Sequence, residues 1–299
     1  LSLRGVRRSY GSHVAVDDVD LDVPPGAIYG FLGPNGAGKT TTIRMIMNIH
    51  FPDRGEILFD GRKLDRSATD RIGYLPEERG LYRKMKVADH VVYLARLRGM
   101  EAGLARRRAA QWLERLGLDD RSQAKVDELS KGMQQKVQFI GTVITEPEMV
   151  ILDEPFSGLD PINVKLLKEI IEEIREGGRT VLFSTHVMEQ AELLCDHIFL
   201  IHRGRKVLDG RLEEILEGYP VDSIRVATDV EAARIEALPH VARVSPQGNE
   251  LSVQLTEDGD PQELLRELVP LGRVHRFAAS RPPLSEIFIR EVEGDRGQA

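Results

Sequence analysis

A glycine-rich stretch decides the fold of this chain: Gly33-Pro34-Asn35-Gly36-Ala37-Gly38-Lys39-Thr40-Thr41. It lies between an apolar run, residues 27–32, and a run with helical spacing of apolar side chains, residues 43–47. In this strand–loop–helix context the GxxxxGKT pattern wraps a chain of phosphates, because glycines let successive backbone N–H groups and a helix N-terminus point at the anion. The whole stretch is therefore predicted to bind a nucleoside triphosphate. We expect Lys39 to reach the terminal phosphates and the Thr40 hydroxyl to bind Mg²⁺.

The composition excludes several other functions. The 299 residues carry a net charge of −7 with both signs mixed, which argues against a nucleic-acid binder that works through bulk electrostatics. The single cysteine, Cys195, excludes an internal disulfide framework and fits a reducing cytosol. No run approaches the roughly 18–20 apolar residues that cross a bilayer. We therefore expect any membrane function to require a separate subunit.

Strand and helix patterns alternate beyond the loop, which predicts a mainly parallel sheet. A helical pattern begins at a candidate N-cap, Ser130, and is followed by an apolar run at 149–152, a helix over 163–176 and a second apolar run at 180–183. Helical spacing also marks residues 87–118. We interpret that segment as a helical insertion between the phosphate-binding loop and the later strands.

Two carboxylates follow the strand predicted at 149–152. Asp153 and Glu154 then lie at the C-terminal edge of the sheet, where parallel sheets bind their ligands. We expect Asp153 to hold Mg²⁺, directly or through water, and Glu154 to orient or deprotonate an attacking water. The pair predicts a hydrolytic site beside the phosphate-binding loop.

The last part of the chain has the pattern of a small α/β module. The signal weakens around residues 211–220, and then a strand, a helix, two strands, a helix, a strand and a helix are predicted: 223–227, 230–238, 241–244, 251–255, 261–269, 273–277 and 284–292. The module contains no phosphate-binding loop, metal-binding motif or catalytic constellation in its sequence.

Several further motifs, in their order along the chain, resemble those of the ABC ATPases. The family's signature sequence is similar to Leu129-Ser130-Lys131-Gly132-Met133-Gln134-Gln135, and its D-loop to Ser157-Gly158-Leu159-Asp160. The segment with its switch histidine is similar to Ser184-Thr185-His186. Upstream of the phosphate-binding loop, Tyr10 resembles the aromatic residue that stacks on adenine.

This resemblance covers residues 1–215 and implies an α/β fold, the P-loop NTPase core of ABC ATPases. Such a core has a parallel sheet, an antiparallel β subdomain and a helical subdomain, here expected at about residues 80–145. Residues 216–299 resemble the short C-terminal extension of sodium-extrusion and drug-resistance ATPases, which implies a small accessory α/β domain. We expect this domain to stabilise a dimer or to have a regulatory role.

The resemblance also implies ATP and Mg²⁺ as ligands and a head-to-tail dimer. In such a dimer Ser130 and Gly132 of one protomer contact the γ-phosphate that Lys39 of the other protomer holds. Asp160 of the D-loop belongs to the same nucleotide-binding set. His186 is the implied sensor of the γ-phosphate and joins Glu154 in the catalytic set.

Departures from the family pattern occur at Glu77, Lys131 and Met133. Glu77 stands where a glutamine is usual, and its carboxylate can meet Mg²⁺ or water while adding negative charge beside Asp153 and Glu154. We therefore place Glu77 in the catalytic and metal-binding sets and expect a higher Mg²⁺ dependence or slower hydrolysis. In the signature, Lys131 and Met133 replace Gly and Gln, and we expect Lys131 to point to solvent.

The implied function is the ATP-hydrolysing subunit of an ABC transporter, an exporter that drives a separate integral membrane permease. Its other partner is a second copy of itself or a paralogous ATPase subunit, and no nucleic acid is expected. This places the protein in the cytoplasm, at the inner face of the membrane through the permease, with residues 79–86 as the docking segment. Two alternatives stay open: a non-hydrolysing ATP-sensing regulator, and a soluble ABC ATPase that acts on ribosomes or DNA.

Overall fold

The chain divides into two units in the computed structural model, Leu1–Leu212 and Glu213–Ala299. The structure describes residues 1–78, 80–219, 223–256 and 258–296. Among these described residues no helix is both long and apolar enough to cross a bilayer.

Two sheets organise the first unit. Its strands are β1 (Ser2–Tyr10), β2 (His13–Asp22), β3 (Ile28–Leu32), β4 (Arg54–Phe59), β5 (Arg62–Lys63), β6 (Ile72–Leu75), β7 (Met149–Asp153), β8 (Thr180–Thr185), β9 (His197–His202) and β10 (Arg205–Arg211). Its helices are α1 (Lys39–Ile46), α2 (Arg66–Asp70), α3 (Val87–Leu97), α4 (Ala102–Arg115), α5 (Lys131–Val143), α6 (Pro161–Glu176) and α7 (Met188–Glu192).

The larger sheet is mainly parallel and places several loops at one edge. Its strand order is β10-β9-β3-β8-β7-β6, with β10 antiparallel to β9 and the other neighbours parallel. Because the carboxyl ends of parallel neighbours meet at the same edge, the segments after β3, β6, β7 and β8 come together there. These segments contain the phosphate-binding loop, Glu77, Glu154 and His186.

The smaller sheet is antiparallel, with the order β2-β1-β4-β5. Apolar side chains from this sheet, from α1 and from one face of the parallel sheet form a common core. Within it the rings of Phe31 and Phe199 stack with centroids 5.1 Å apart. Strands β3 and β7 are buried along their whole length, as expected for strands covered on both faces.

Helices α5 and α6 of the first unit begin directly after residues whose side chains cap the helix N-terminus. The Ser130 hydroxyl accepts a hydrogen bond from Met133 N (3.3 Å) at the start of α5, which confirms the predicted N-cap. Asp160 caps α6 in the same way, and that helix begins at Pro161 rather than at Asn163. The helical pattern predicted over 87–118 corresponds to α3 and α4.

The second unit contains an antiparallel sheet with helices between its strands. Its elements are α8 (Leu212–Glu217), β11 (Ser223–Thr228), α9 (Ala232–Glu236), β12 (Val241–Gln247), β13 (Glu250–Leu255), α10 (Pro261–Leu268), β14 (Val274–Ser280) and α11 (Leu284–Arg296). From β11 to β14 the connectivity is βαββαβ, and the sheet order is β12-β13-β11-β14. Ile235 of α9 and Leu264 and Leu268 of α10 pack with Ile224 and Val253 of the sheet. The predicted elements of this region are confirmed with shifted ends, and α8 is an addition.

Close packing of β6 on α5 generates a stability prediction. A Cβ on Gly73 would lie 2.5 Å from the Thr142 carbonyl oxygen and 2.8 Å from the Pro147 ring. Neither can move freely, so we expect Gly73→Ala to lower the free energy of unfolding by about 1–3 kcal/mol. At Gly80 a Cβ meets nothing within 4 Å, which makes Gly80→Ala the control. Urea denaturation followed by circular dichroism checks both, and equal stability of the two variants would contradict the packing argument.

Candidate nucleotide-binding site

The phosphate-binding loop joins β3 to α1, and its three glycines, Gly33, Gly36 and Gly38, all have positive φ. Gly38 has a left-handed backbone (φ +113°), and a Cβ there would lie 2.5 Å from the Ala15 carbonyl oxygen. Gly36 is also left-handed (φ +77°), with open space around it. Gly38 offers no side chain to cap α1, so the N–H groups of the first turn stay available to an anion.

A cavity of about 450 Å³ opens over this loop. It collects residues from both sides of the β1–β2 turn, from the loop itself and from the edge of the parallel sheet: Tyr10, His13, Ala15, Asn35, Gly36, Gly38, Lys39, Thr40, Thr41, Glu77, Asp153 and Glu154. The structure therefore brings together most of the residues that the sequence predicts for one nucleotide site. His13 and Ala15 are additions.

Lys39 lies folded against the loop. Its Nζ donates hydrogen bonds to the carbonyl oxygens of Gly33 (2.7 Å) and Pro34 (3.2 Å). Burial lowers the pKa of Lys39, and the negative charges of Glu154 and Asp153 oppose that shift. The ammonium group is thus at the floor of the cavity, bound to carbonyl oxygens that phosphate oxygens can replace.

Asp153, the last residue of β7, is buried, and only one of its two carboxylate oxygens has a hydrogen-bond partner among the described residues. Its Oδ1 accepts a hydrogen bond from Ser184 Oγ, whereas Oδ2 is buried without a hydrogen-bond partner among the described residues. Burial raises the pKa of Asp153, and the charge of Glu77 adds to the shift, while the hydrogen bond from Ser184 opposes it. An unpaired buried carboxylate oxygen calls for a cation or a water.

These residues fit Mg²⁺. The Asp153, Glu154 and Glu77 carboxylates outnumber the Lys39 ammonium in the cavity, and the orphaned Asp153 oxygen is the kind of ligand that Mg²⁺ prefers. No cluster of three His, Cys, Asp or Glu side chains arranged for a metal occurs in the described part of the chain. Mg²⁺ does not need one, because it keeps several waters and binds through one or two carboxylates plus substrate phosphates.

Glu154 has a strained backbone and a fixed side chain. Its φ is +50°, a left-handed conformation that costs a non-glycine residue about 1–3 kcal/mol and that Glu154 shares with six other non-glycine residues of the described chain. Glu154 N donates to the Ser184 carbonyl oxygen (3.1 Å). Its Oε1 accepts from His186 N (3.0 Å) and lies 2.7 Å from His186 Nδ1, while Thr185 Oγ1 donates to Oε2 (3.3 Å). The carboxylate is therefore oriented by the end of β8.

Tyr10 lies at the rim of the cavity with 42% of its surface exposed. The Arg8 guanidinium covers its ring at 4.9 Å from the centroid, and the His50 ring meets it edge-on at 6.0 Å. Arg8 is held in turn by Asp53 (2.8 Å) and by the Phe51 carbonyl oxygen (3.1 Å). Arg8 and His50 thus hold the ring in place, and its exposed part is available for stacking on a base.

Seven predicted site residues are not among those that line the cavity: Gly33, Pro34 and Ala37 of the loop itself, His186, and the more distant Ser130, Gly132 and Asp160. Ser130 and Asp160 cap α5 and α6, and a Cβ on Gly132 would lie 3.2 Å from the Gly158 carbonyl oxygen. The signature and the D-loop therefore touch each other within one protomer. Lys131 is exposed, as expected.

Sequence reasoning missed Arg8, His13 and Ser184 at this site. Arg8 precedes Tyr10 by two positions on β1, so strand periodicity could have placed both side chains on one face. His13 faces Tyr10 through the β1–β2 register, and Ser184 faces Asp153 through the β7–β8 register. Strand register is a tertiary property that these short segments do not reveal by themselves.

Comparison with known proteins agrees with this geometry. Residues 16–157 match the ABC transporter family, and residues 210–292 match the C-terminal domain of DrrA1-3-like ATP-binding proteins. The ABC transporter ATP-binding protein YhaQ of Bacillus subtilis is 41% identical over 292 residues, 98% of this chain and 98% of the relative. This chain belongs to the ABC transporter ATP-binding proteins.

Three further members of the family match this chain at lower identity. The Nod factor export ATP-binding protein I of Cupriavidus metallidurans is 34% identical over 295 residues, 97% of this chain and 96% of the relative. A solved ATP-binding subunit of an ABC transporter superimposes with a TM-score of 0.68 and 32% identity, over 73% of this chain and 92% of that one. CbiO1 from Clostridium perfringens, part of the CbiONQ complex, superimposes with a TM-score of 0.64 and 27% identity, over 72% of this chain and 90% of that one. The predicted fold class is confirmed for this ABC protein.

The conformation of Gly38 generates a binding prediction. In Gly38→Ala the new methyl group collides with the Ala15 carbonyl oxygen and strains a left-handed residue, so we expect the Kd for ATP with Mg²⁺ to rise about tenfold or more. Gly61→Ala is the matched control, since Gly61 is also left-handed (φ +71°) but has open space around it. Isothermal titration calorimetry measures both. A Gly38→Ala variant that binds ATP as tightly as Gly61→Ala would show that the loop tolerates a side chain.

Proposed function

We propose that this protein is the ATP-hydrolysing subunit of an ABC exporter, which works as a head-to-tail dimer on a separate integral membrane permease. The observation that carries the proposal is the convergence of Lys39, the orphaned Asp153 oxygen and the strained Glu154 in one cavity. A lysine and a helix N-terminus suit a polyphosphate, and a fixed carboxylate beside them suits activation of water.

The proposed chemistry is an in-line displacement on bound ATP. Thr40, Asp153 and Glu77 would hold Mg²⁺, which when bound would neutralise negative charge on the phosphates. Glu154 orients a water, whose oxygen attacks the γ-phosphorus while the bond from that phosphorus to the bridging oxygen breaks. ADP leaves with the electron pair of that bond, and Glu154 accepts a proton from the water. His186, which touches the Glu154 carboxylate, fixes its orientation and senses the γ-phosphate.

The dimer is supported by the residues that lie outside the cavity. Ser130 and Gly132 occupy the N-terminal end of α5, a 13-residue helix whose first N–H groups favour an anion. Because they do not line the nucleotide site of their own protomer, we propose that they contact the γ-phosphate bound to Lys39 of the partner, with Asp160 at the same interface. Removal of the γ-phosphate by hydrolysis then loosens the dimer and moves the permease.

The permease is proposed to bind beside α3. Residues 79–86 form the docking segment predicted from the sequence, of which Arg79 lies outside the described residues. Tyr82 of this segment is exposed and meets Tyr93 of α3 edge-to-face, with ring centroids 5.4 Å apart. Exposed aromatic rings are enriched at protein interfaces. In this arrangement the protein lies at the cytoplasmic face of the membrane.

Export as the direction of transport rests on the relatives. One relative of similar length is named for Nod factor export, and residues 210–292 match the C-terminal domain of DrrA1-3-like proteins. We propose that residues 1–215 form the ATP-hydrolysing domain, with a helical subdomain at about 80–145. Residues 216–299 then form an accessory domain that stabilises the dimer or regulates it.

Stacking of Tyr10 on adenine can be tested separately from phosphate binding. Loss of the ring in Tyr10→Ala should weaken ATP binding by about 1–3 kcal/mol, because that is the usual contribution of stacking a base on an aromatic side chain. Tyr10→Phe keeps the ring and should bind as the wild type does. Fluorescence competition with ATP and with inorganic tripolyphosphate measures both. An equal loss for the two ligands in Tyr10→Ala would argue against a base contact.

Hydrolysis and dimerisation are tested together with Glu154→Gln. We expect wild-type turnover per chain to rise with protein concentration and to fall about 10²- to 10⁴-fold in Glu154→Gln, since the general base is lost. Light scattering should show that the variant accumulates dimers in ATP with Mg²⁺. Glu169→Gln, an exposed change on α6, serves as the control.

Other results would favour the alternatives. Tight ATP binding without turnover, in the wild type and with a membrane partner added, would favour a non-hydrolysing regulator. A Glu154→Gln variant that stays monomeric in ATP would contradict the shared site.

A further inference from the structure

One face of α5 is polar although it is buried. Gln135 and Gln138 are 2% and 7% exposed, and Thr142, one turn further on, is buried too. The three positions are three and four residues apart, so they form one stripe along the helix. The opposite face of α5 carries apolar side chains, among them Val137 and Ile140. A buried amide is costly unless its hydrogen bonds are made, so this stripe needs an explanation.

The stripe donates hydrogen bonds to backbone carbonyl oxygens on both sides of the catalytic edge. Gln135 Nε2 donates to the Pro155 carbonyl oxygen (3.1 Å), directly after Glu154. Gln138 Nε2 donates to the carbonyl oxygens of Pro76 (3.1 Å) and Glu78 (3.2 Å), which flank Glu77. Thr142 Oγ1 lies within hydrogen-bonding distance of the Tyr74 carbonyl oxygen on β6 (3.3 Å) and of the Gln138 carbonyl oxygen within α5 (3.0 Å).

Gln138 is the most informative member of the stripe. Its single amide group uses both N–H bonds on the two peptide carbonyls around Glu77, so it fixes the backbone on either side of that residue. Its own Oε1 is buried and has no hydrogen-bond partner within the described part of the chain, which is a cost that an apolar side chain would avoid. The Gln138 amide therefore stabilises the backbone around Glu77 and does not improve the packing of α5.

We propose that Gln138 is a positioning residue that sets the Glu77 carboxylate against the Mg²⁺ of the nucleotide site, with Gln135 holding the segment after Glu154 in the same way. The inference rests on the proposed function, because it assigns the Mg²⁺ contact to Glu77. Since Ser130 and Gly132 occupy the start of the same helix, α5 links the contact with the partner's nucleotide to both carboxylates of its own site. A shift of α5 along its axis then moves Glu77 relative to Asp153 and Glu154, which Ser184 and His186 hold.

The test separates positioning from general stability through the Mg²⁺ dependence of ATP binding. Calorimetry gives the Kd for ATP with Mg²⁺ and with EDTA for the wild type, Gln138→Met, Glu77→Ala and the double variant. We expect Gln138→Met to reduce the gain in affinity that Mg²⁺ brings by about threefold or more, the size expected when a hydrogen bond is lost. The Kd in EDTA should not change. In the Glu77→Ala background, Gln138→Met should cause no further loss, since the group it positions is gone.

Arg108→Met is the control, because Arg108 donates to the Ile144 carbonyl oxygen (3.1 Å) just after α5 and does not touch the catalytic edge. It should lower the unfolding temperature without changing the gain from Mg²⁺. If Gln138→Met fails to fold, Gln138→Asn replaces it, since the shorter amide cannot span both carbonyl oxygens.

The outcomes distinguish the inference from the proposed function. Three results would overturn the positioning role. Gln138→Met could have the same effect with and without Glu77, it could weaken ATP binding equally in EDTA, or it could leave the gain in affinity from Mg²⁺ unchanged. A wild type that binds ATP with no gain from Mg²⁺ overturns this role as well, because Glu77 then has no ion to meet. A wild type that binds no ATP contradicts the proposed function, and the inference fails with it.

Discussion

The structure depends on negative charge concentrated at the carboxyl edge of the parallel sheet. Asp153, Glu154 and Glu77 line one cavity with the single ammonium group of Lys39 among its lining residues. Two of these groups have internal partners: Lys39 Nζ donates to the Gly33 carbonyl oxygen, and Glu154 Oε1 contacts His186 Nδ1. One Asp153 oxygen has no hydrogen-bond partner among the described residues. The loop and the acids are neighbours because the segments after β3, β6 and β7 come together at the same edge of the sheet.

The three acidic side chains at that edge are held by different parts of the structure. Asp153 and Glu154 are tied to β8 through Ser184 and His186, so they form one body with the parallel sheet. Glu77 follows β6, the edge strand, and is exposed at the rim of the cavity. Its backbone is held by a glutamine of α5 instead of by a neighbouring strand. The arrangement gives one fixed acid pair and one acid whose position depends on a helix.

Features encoded over short distances could be predicted from the sequence. The phosphate-binding loop, the Ser130 cap and the acid pair after β7 follow from spacing and turn chemistry within a few residues, and their elements were placed correctly. The C-terminal strands and helices were found in order for the same reason, but their sheet order was not predicted. The polar stripe of α5 was overlooked because apolar positions alone defined the helix face. The roles of the site residues stay predictions.

The position of β3 in its sheet affects folding during synthesis. Leu32 pairs with Thr185 of β8 and with Leu200 of β9, so the strand that carries the phosphate-binding loop finds both neighbours far downstream. At a synthesis rate of about 5–20 residues per second, roughly 10–30 seconds separate the appearance of β3 from that of β9. During that time the five buried residues of β3 are an unpaired apolar strand on the ribosome, an aggregation risk that calls for chaperone protection. The nucleotide loop is thus among the first segments synthesised and among the last to reach its final conformation.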